Sequence, residues 1–205
     1  MTQASAVMHT RQEAAEMFRQ LAEGLGHSHR PSFFDALVEQ LARLLAVEHA
    51  LIAVIREPNI AETLSVWSSG ALAGNIRYSL TGTPCETVVG HQPCLYPCNV
   101  QALFPEDELL VQLGAESYMG LPLFAADGAA IGIMAVLSNR PRAFDGLENE
   151  ILRIAAAQAG AELGRRQAES ALQASEMAAR ESERRLDTLL NHLPGMAYRC
   201  QNDRD

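Results

Sequence analysis

The chain has 205 residues, 48% hydrophobic and 20% charged, a globular balance that excludes collagen-like, disordered and membrane-embedded classes. Acidic residues outnumber basic ones 25 to 16, for a net charge of -9, and every basic residue is a scattered arginine. That charge disfavours nucleic acid as a partner, and the lack of lysine excludes Schiff-base and P-loop lysine chemistry. Apolar runs stop short of the roughly 18 residues that span a bilayer, and Met1 to Thr10 lacks a basic segment followed by an apolar one. No membrane partner is expected. The expected compartment is the cytoplasm, where Cys85, Cys94, Cys98 and Cys200 stay reduced.

In chain order, Ala14, Ala15, Phe18, Leu21, Ala22 and Leu25 recur at helical spacing and predict an amphipathic helix over residues 8–25. A second helix starts at Ser32, with Asp35 as its capping-box partner and Phe34, Leu37, Val38, Leu41, Leu44 and Leu45 on one face. Ala50 to Ile55 is a short, apolar, β-branched run of the kind found in a central strand covered on both sides. Residues 62–69 and 75–80 alternate and are bounded by turn residues, so three antiparallel strands follow in series. Thr83-Pro84-Cys85-Glu86 reads as a capped helix start running to about Gly90. His91 to Cys98 is extended and broken by proline, and Pro105 to Asp107 opens a short helix that ends at Gly114. Glu116 to Phe124 and Ala130 to Leu137 pair as a hairpin around Asp127-Gly128.

Asp145 and Glu148 form a further capping box, and no strong breaker follows until Pro194. Leu147, Ile151, Ile154, Gln158, Ala161, Arg165, Ala168, Leu172, Ser175, Ala179, Ser182, Leu186, Leu189 and Leu193 alternate steps of four and three, a heptad frame. Such a helix spans about 70 Å. One small domain cannot cover that length, so a parallel homodimer is the expected partner, with the seam at Leu147, Ile151, Ile154, Ala161, Ala168, Leu172, Leu186 and Leu189. Its polar positions leave it weak enough to change register or rotation.

Gly82-Thr83-Pro84-Cys85-Glu86, Leu103-Phe104-Pro105-Glu106-Asp107, residues 115–123 and Gly128-Ala129-Ala130-Ile131-Gly132 together resemble a bacterial GAF domain. The resemblance implies an α+β fold: an antiparallel sheet of about six strands, flanking helices and a ligand-sized pocket. Residues 185–205 resemble the opening of a PAS domain, which implies a longer GAF-PAS protein. Its output would be a diguanylate cyclase, a phosphodiesterase or a histidine kinase. The expected organisation is an N-terminal helix and connector at 1–30, the GAF domain at 31–144, a signalling coiled coil at 145–190 whose start packs on that domain, and the PAS start at 191–205. The chain is then a non-catalytic sensory module; a ligand-free structural dimerisation module is the alternative and an enzyme a distant one.

Cys85 in the first turn of a capped helix is a redox candidate, because backbone N-H groups and the helix dipole favour thiolate there; the competing reading is a small buried hydrophobe. His91, Cys94 and Cys98 are soft donors, but only Cys94 and Cys98 have knuckle-like spacing and no second pair follows, so no metal is expected. Neither Cys85-Glu86 nor Cys94-Leu95 gives the cysteine-histidine pair of bilin-binding GAF domains, and Phe144-Asp145 reads as a helix start rather than part of a cyclic-nucleotide signature. No bilin or haem is expected. An unidentified small molecule would meet Trp67, Tyr78, Cys85, Phe104, Tyr118 and Met134, residues that equally well fill a core. No serine sits in a nucleophile elbow and no catalytic residue is assigned.

Overall fold

The computed structural model describes residues 32–56, 59–89 and 92–192, with side chains described to Thr188. The expected helix at 8–25 and the PAS-like residues from 193 onward lie outside the described residues. The chain divides into two units, one ending at Gly164 and the other beginning at Arg165.

In the first unit, α1 (Phe33–Leu45) starts as its sequence requires: the Ser32 hydroxyl accepts from the Asp35 N-H while the Asp35 carboxylate accepts from the Ser32 N-H. Both bonds satisfy donors that a helix start leaves open. Its buried face carries Phe34, Leu37, Val38, Leu41, Ala42 and Leu45, whereas Leu44, expected on that face, is exposed. The Asp35 carboxylate also accepts from Ser65 Oγ at 2.6 Å, which ties the helix to the sheet.

Seven antiparallel strands make the sheet: β1 (His49–Arg56), β2 (Ile60–Ser68), β3 (Ala71–Ala73), β4 (Arg77–Ser79), β5 (Cys94–Tyr96), β6 (Ser117–Phe124) and β7 (Ala130–Ser138). Their order is β3-β2-β1-β7-β6-β5, with β4 also paired to β2. Strand β1 is central and covered on both faces, as its unbroken apolar run requires. Short strands β3 and β5 are additions to the sequence reading; three residues carry too little periodicity to declare a strand.

Because successive strand residues point to opposite faces, the sheet feeds two cores. The first holds Ala50, Ile52 and Val54 of β1, Met119, Leu121 and Leu123 of β6, and Met134 and Val136 of β7, with α1 and α5 (Gly146–His192) packed on them. The second holds Leu51 and Ala53, Tyr118, and Ile133, Ala135 and Leu137, covered by α2 (Pro84–Val89), α3 (Val100–Leu103) and α4 (Glu108–Leu113).

Ile151, Leu152, Ala155, Ala156, Ala159 and Leu163 of α5 are buried in the first core. The approach is close at Gly160, where an added Cβ would stand 2.7 Å from the Phe124 carbonyl oxygen and 3.0 Å from its nitrogen. The expected capping box at the start of this helix does not form. The Glu148 carboxylate turns to Arg142, and only its backbone N-H returns to the Asp145 carbonyl.

Of the expected seam, Ile151 is a correction: it is 4% exposed and belongs to the domain's own core, which the step from Leu147 to Ile151 crosses into. Leu147 and Ile154, each 40% exposed, and exposed Ala161 lie outside that core. In the second unit, α5 continues with every described side chain exposed, including Ala168, Leu172 and Leu186. Arg165–Glu169 and Arg185–Glu181 ion pairs lie along it. The Leu189 side chain is outside the described residues.

Candidate ligand-binding core

The second core contains a polar cluster set among Leu, Ile, Val and Ala side chains. The Cys85 Sγ lies 3.2 Å from Tyr118 Oη, and the Tyr78 hydroxyl donates to the same sulfur at 3.5 Å. Tyr118 and Cys85 are buried and Tyr78 half-buried. Tyr96 extends the cluster outward, its ring edge-on to Phe104 with centroids 5.0 Å apart and 6.2 Å from the Tyr118 ring. Edge-to-face rings at such separations attract beyond the area they bury. Thr87 Oγ1 lies 3.5 Å from Tyr96 Oη at the outer end.

Each group is placed by an identifiable element. Tyr118 reaches the second core because it is out of phase with Met119 and Leu121 along β6. Gly120, two residues on and therefore on the same face, makes room for the ring: a Cβ there would lie 2.3 Å from Tyr118 Oη and 2.6 Å from Val88 Cγ2. Cys85 and Val88 share the inner face of α2. That helix is fastened by bonds other than the expected cap, since the Thr83 hydroxyl donates to the Leu80 carbonyl at 2.7 Å and Glu86 Oε2 accepts from the Gly82 N-H at 2.9 Å.

The electrostatics correct the redox expectation for Cys85. Burial pushes its thiol above the ordinary value, outweighing the Tyr118 and Tyr78 hydrogen bonds, and the nearby Asp107 carboxylate adds to the rise. A helix of six residues supplies too little dipole to reverse that cost. The thiol is therefore a neutral hydrogen-bonding group. Burial, followed by the neighbouring Cys85, likewise holds the Tyr78 and Tyr118 phenols protonated. Asp107 caps α4 by accepting from the Leu109 N-H at 3.1 Å, and burial raises its carboxyl above the usual range.

Four of the six proposed pocket residues, Tyr78, Cys85, Phe104 and Tyr118, meet in this core. Trp67 and Met134 do not; both face the first core, Trp67 beneath Arg43, whose guanidinium lies 5.8 Å from the indole centroid. Their strand partners fix this, since Trp67 pairs with Ala50 and Met134 with Ile52, and paired residues share a face. Tyr96 was missed because a three-residue strand between prolines has no readable phase. Buried His49 was missed too: its Nδ1 lies 3.0 Å from Ser68 Oγ, and Nε2 donates to the Leu113 carbonyl at 3.0 Å, joining β1 to the end of α4. Among the described residues, no three of His, Cys, Asp and Glu gather to hold a metal; His91 lies outside them. No helix among them is long and apolar enough to cross a membrane.

An antiparallel sheet with long helices on one face and a cap of short helices over polar groups on the other makes an α+β domain. The GAF domain family model matches residues 29–163, and the chain belongs to that family, whose members are sensory and regulatory domains of signal transduction proteins. Among solved structures, the GAF domain of a phosphoenolpyruvate-protein phosphotransferase from Coxiella burnetii is similar with a TM-score of 0.62 at 15% identity, over 77% of this chain and 96% of that one. The corresponding Acinetobacter domain gives 0.55 at 16% identity, over 72% and 90%. The blue-light absorbing form of the Thermosynechococcus elongatus PixJ GAF domain gives 0.57 at 14%, over 69% and 89%. Likeness at such identities is a likeness of fold. No curated protein matches the chain.

Proposed function

We infer that this chain is a non-catalytic sensory module of a bacterial cytoplasmic signalling protein, in which a small molecule held in the second core alters paired α5 helices. The observation that carries this reading is the hydroxyl-thiol-hydroxyl cluster of Tyr78, Cys85 and Tyr118, enclosed by short elements on the face opposite α5. A few polar groups in an apolar enclosure give a ligand orientation as well as affinity. Short helices and strands are the parts of a fold that open at least cost. The ligand would be an uncharged or weakly polar molecule, able to exchange hydrogen bonds with two neutral phenols and a neutral thiol.

Exposed Leu147 and Ile154, and Leu172 and Leu186 beyond them, support a second copy as partner, since apolar residues at heptad spacing are buried by another helix. Residues 1–30 would contribute a further helix to that pairing. The PAS-like end would hand the signal to a diguanylate cyclase, phosphodiesterase or histidine kinase. The second reading is a structural dimerisation module, favoured by the contact of Cys85 with both tyrosines, which already fills this part of the core. Native mass spectrometry separates the two. A dimer carrying a bound small molecule that Tyr118→Phe weakens is the expected result; a bare dimer favours the structural reading, and a monomer across micromolar concentrations removes the signalling mechanism.

A further inference from the structure

We propose that Arg142 is a latch through which the wall of the second core acts on the first turn of α5; the proposal rests on the sensory reading above. Two segments distant in sequence, around Pro97 and Ala46, meet at this residue with the nearby start of α5. Its backbone N-H donates to the Pro97 carbonyl at 2.8 Å, one residue beyond Tyr96, whose ring stands against Phe104 and Tyr118. One guanidinium nitrogen donates to the Ala46 carbonyl at the end of α1, at 3.2 Å. Nε and the other terminal nitrogen engage both carboxylate oxygens of Glu148, at 3.4 and 2.5 Å, in the first turn of α5. The guanidinium also lies 5.5 Å from the centroid of the Phe144 ring.

Stability alone is a poor account of this arrangement, because an ion pair with its side chains still a quarter to a third exposed contributes modestly. Geometry is the better one. An arginine fork on a carboxylate fixes direction as well as distance, and here the fork is rooted in the main chain that holds Pro97. A displacement of β5 or of the turn after it moves the Arg142 backbone, and the same residue then moves Glu148. The connection between β7 and α5 suits such a shift. Phe144 is a buried, non-glycine residue at a φ of 45°, a conformation that costs about 1–2 kcal/mol per residue and persists where the surroundings impose it. A hollow of about 440 Å³, lined by Ala46, Glu48, Ser138, Arg140, Pro141 and Arg142 itself, gives the side chain a second position beside the Glu48 carboxylate. The latch therefore has two arrangements: closed on Glu148, or turned into the hollow with the first turn of α5 released.

Hydrogen exchange read by mass spectrometry on the full 205-residue chain tests this with no ligand added. Four proteins are compared: wild type, Tyr96→Ala, Arg142→Gln and the double variant. Tyr96→Ala is expected to speed exchange of amides 147–156 about tenfold when Arg142 is present, the effect of losing one charge-assisted contact in a locally opening segment. Added to Arg142→Gln, it should change them less than about twofold by the same measure. Arg142→Lys, which keeps the charge and loses the fork, should behave as Arg142→Gln does. An equal effect of Tyr96→Ala in both backgrounds, or no effect on α5 in either, overturns the latch. Should Tyr96→Ala lose protection throughout β1, Tyr96→Leu replaces it as the milder perturbation. None of these readouts needs a dimer or a bound molecule, so a monomeric, ligand-free chain in native mass spectrometry would remove the sensory reading while leaving the latch to be decided by exchange.

Discussion

Two glycines four residues apart on α5 should respond oppositely to the same substitution. In a helix interior, glycine to alanine ordinarily stabilises by about 1 kcal/mol. At Gly164 the nearest atoms to an added Cβ are Ile131 Cδ1 at 3.7 Å and Ala125 Cα at 3.8 Å, ordinary contact distances, so Gly164→Ala should gain most of that amount. At Gly160 the new carbon would meet the Phe124 backbone at 2.7 and 3.0 Å, and a strand backbone cannot rotate aside as a side chain does. The helix must lift, an overpacking cost of about 1–3 kcal/mol that exceeds the helical gain. Gly160→Ala should therefore destabilise by about 1–2 kcal/mol, or lower Tm by about 3–6 °C for a chain of this size. Trp67 is the single tryptophan and lies in the same core, so its fluorescence during urea unfolding reports the change directly. If both variants shift the midpoint in the same direction, the close seating of α5 on β6 is wrong.

The buried, neutral Cys85 thiol should react with a maleimide at neutral pH at least about 100-fold more slowly than half-buried Cys98, because both access and thiolate are lacking; peptide mapping at timed intervals measures the ratio, and equal rates would refute the closed core. Two carboxylates should show opposite pH behaviour. Although burial works to raise it, Glu48 is held below its ordinary value of 4.5 by the Asn139 N-H and further hydrogen bonds. Its contribution is thus present above that value and lost as pH falls through the folded-state pKa, so the cost of Glu48→Gln in urea midpoints should vanish in acid. Asp107 is raised by burial, so its ionised form lowers stability at neutral pH and the penalty lifts as pH falls through the raised pKa. Asp107→Asn, which keeps the cap, should match or exceed wild type at pH 7, and the gap should close in acid.

The α+β layout was legible because its signals are local and repeated: the Ser32 cap, the apolar run of β1, the Asp127-Gly128 hairpin and the long stretch without breakers before Pro194. Faces were harder to read. Assigning Trp67 and Met134 to the ligand side fails because a strand's phase shows which residues share a face, while which face meets which layer depends on pairing across the sheet. A bulge that leaves Leu64 unpaired, opposite Ile52 and Ala53, further obscures the phase in β2. Cys85 shows a different limit: its helix-start motif is real, but burial by Tyr118 and the sheet decides its chemistry. The Glu148 capping motif was likewise overridden by a contact with Arg142, a competition that two residues read alone cannot display.

The alternation of β7 has a consequence for how such a domain can diversify. Ile133, Ala135 and Leu137 line one layer, while Met134 and Val136 seat the helices of the other. Substitutions at Ile133, Ala135 and Leu137 would alter the second core and leave the Met134 and Val136 contacts with the first chemically untouched. Two cores are thus encoded on interleaved letters of a single strand, free to drift apart in sequence while staying one residue apart in space.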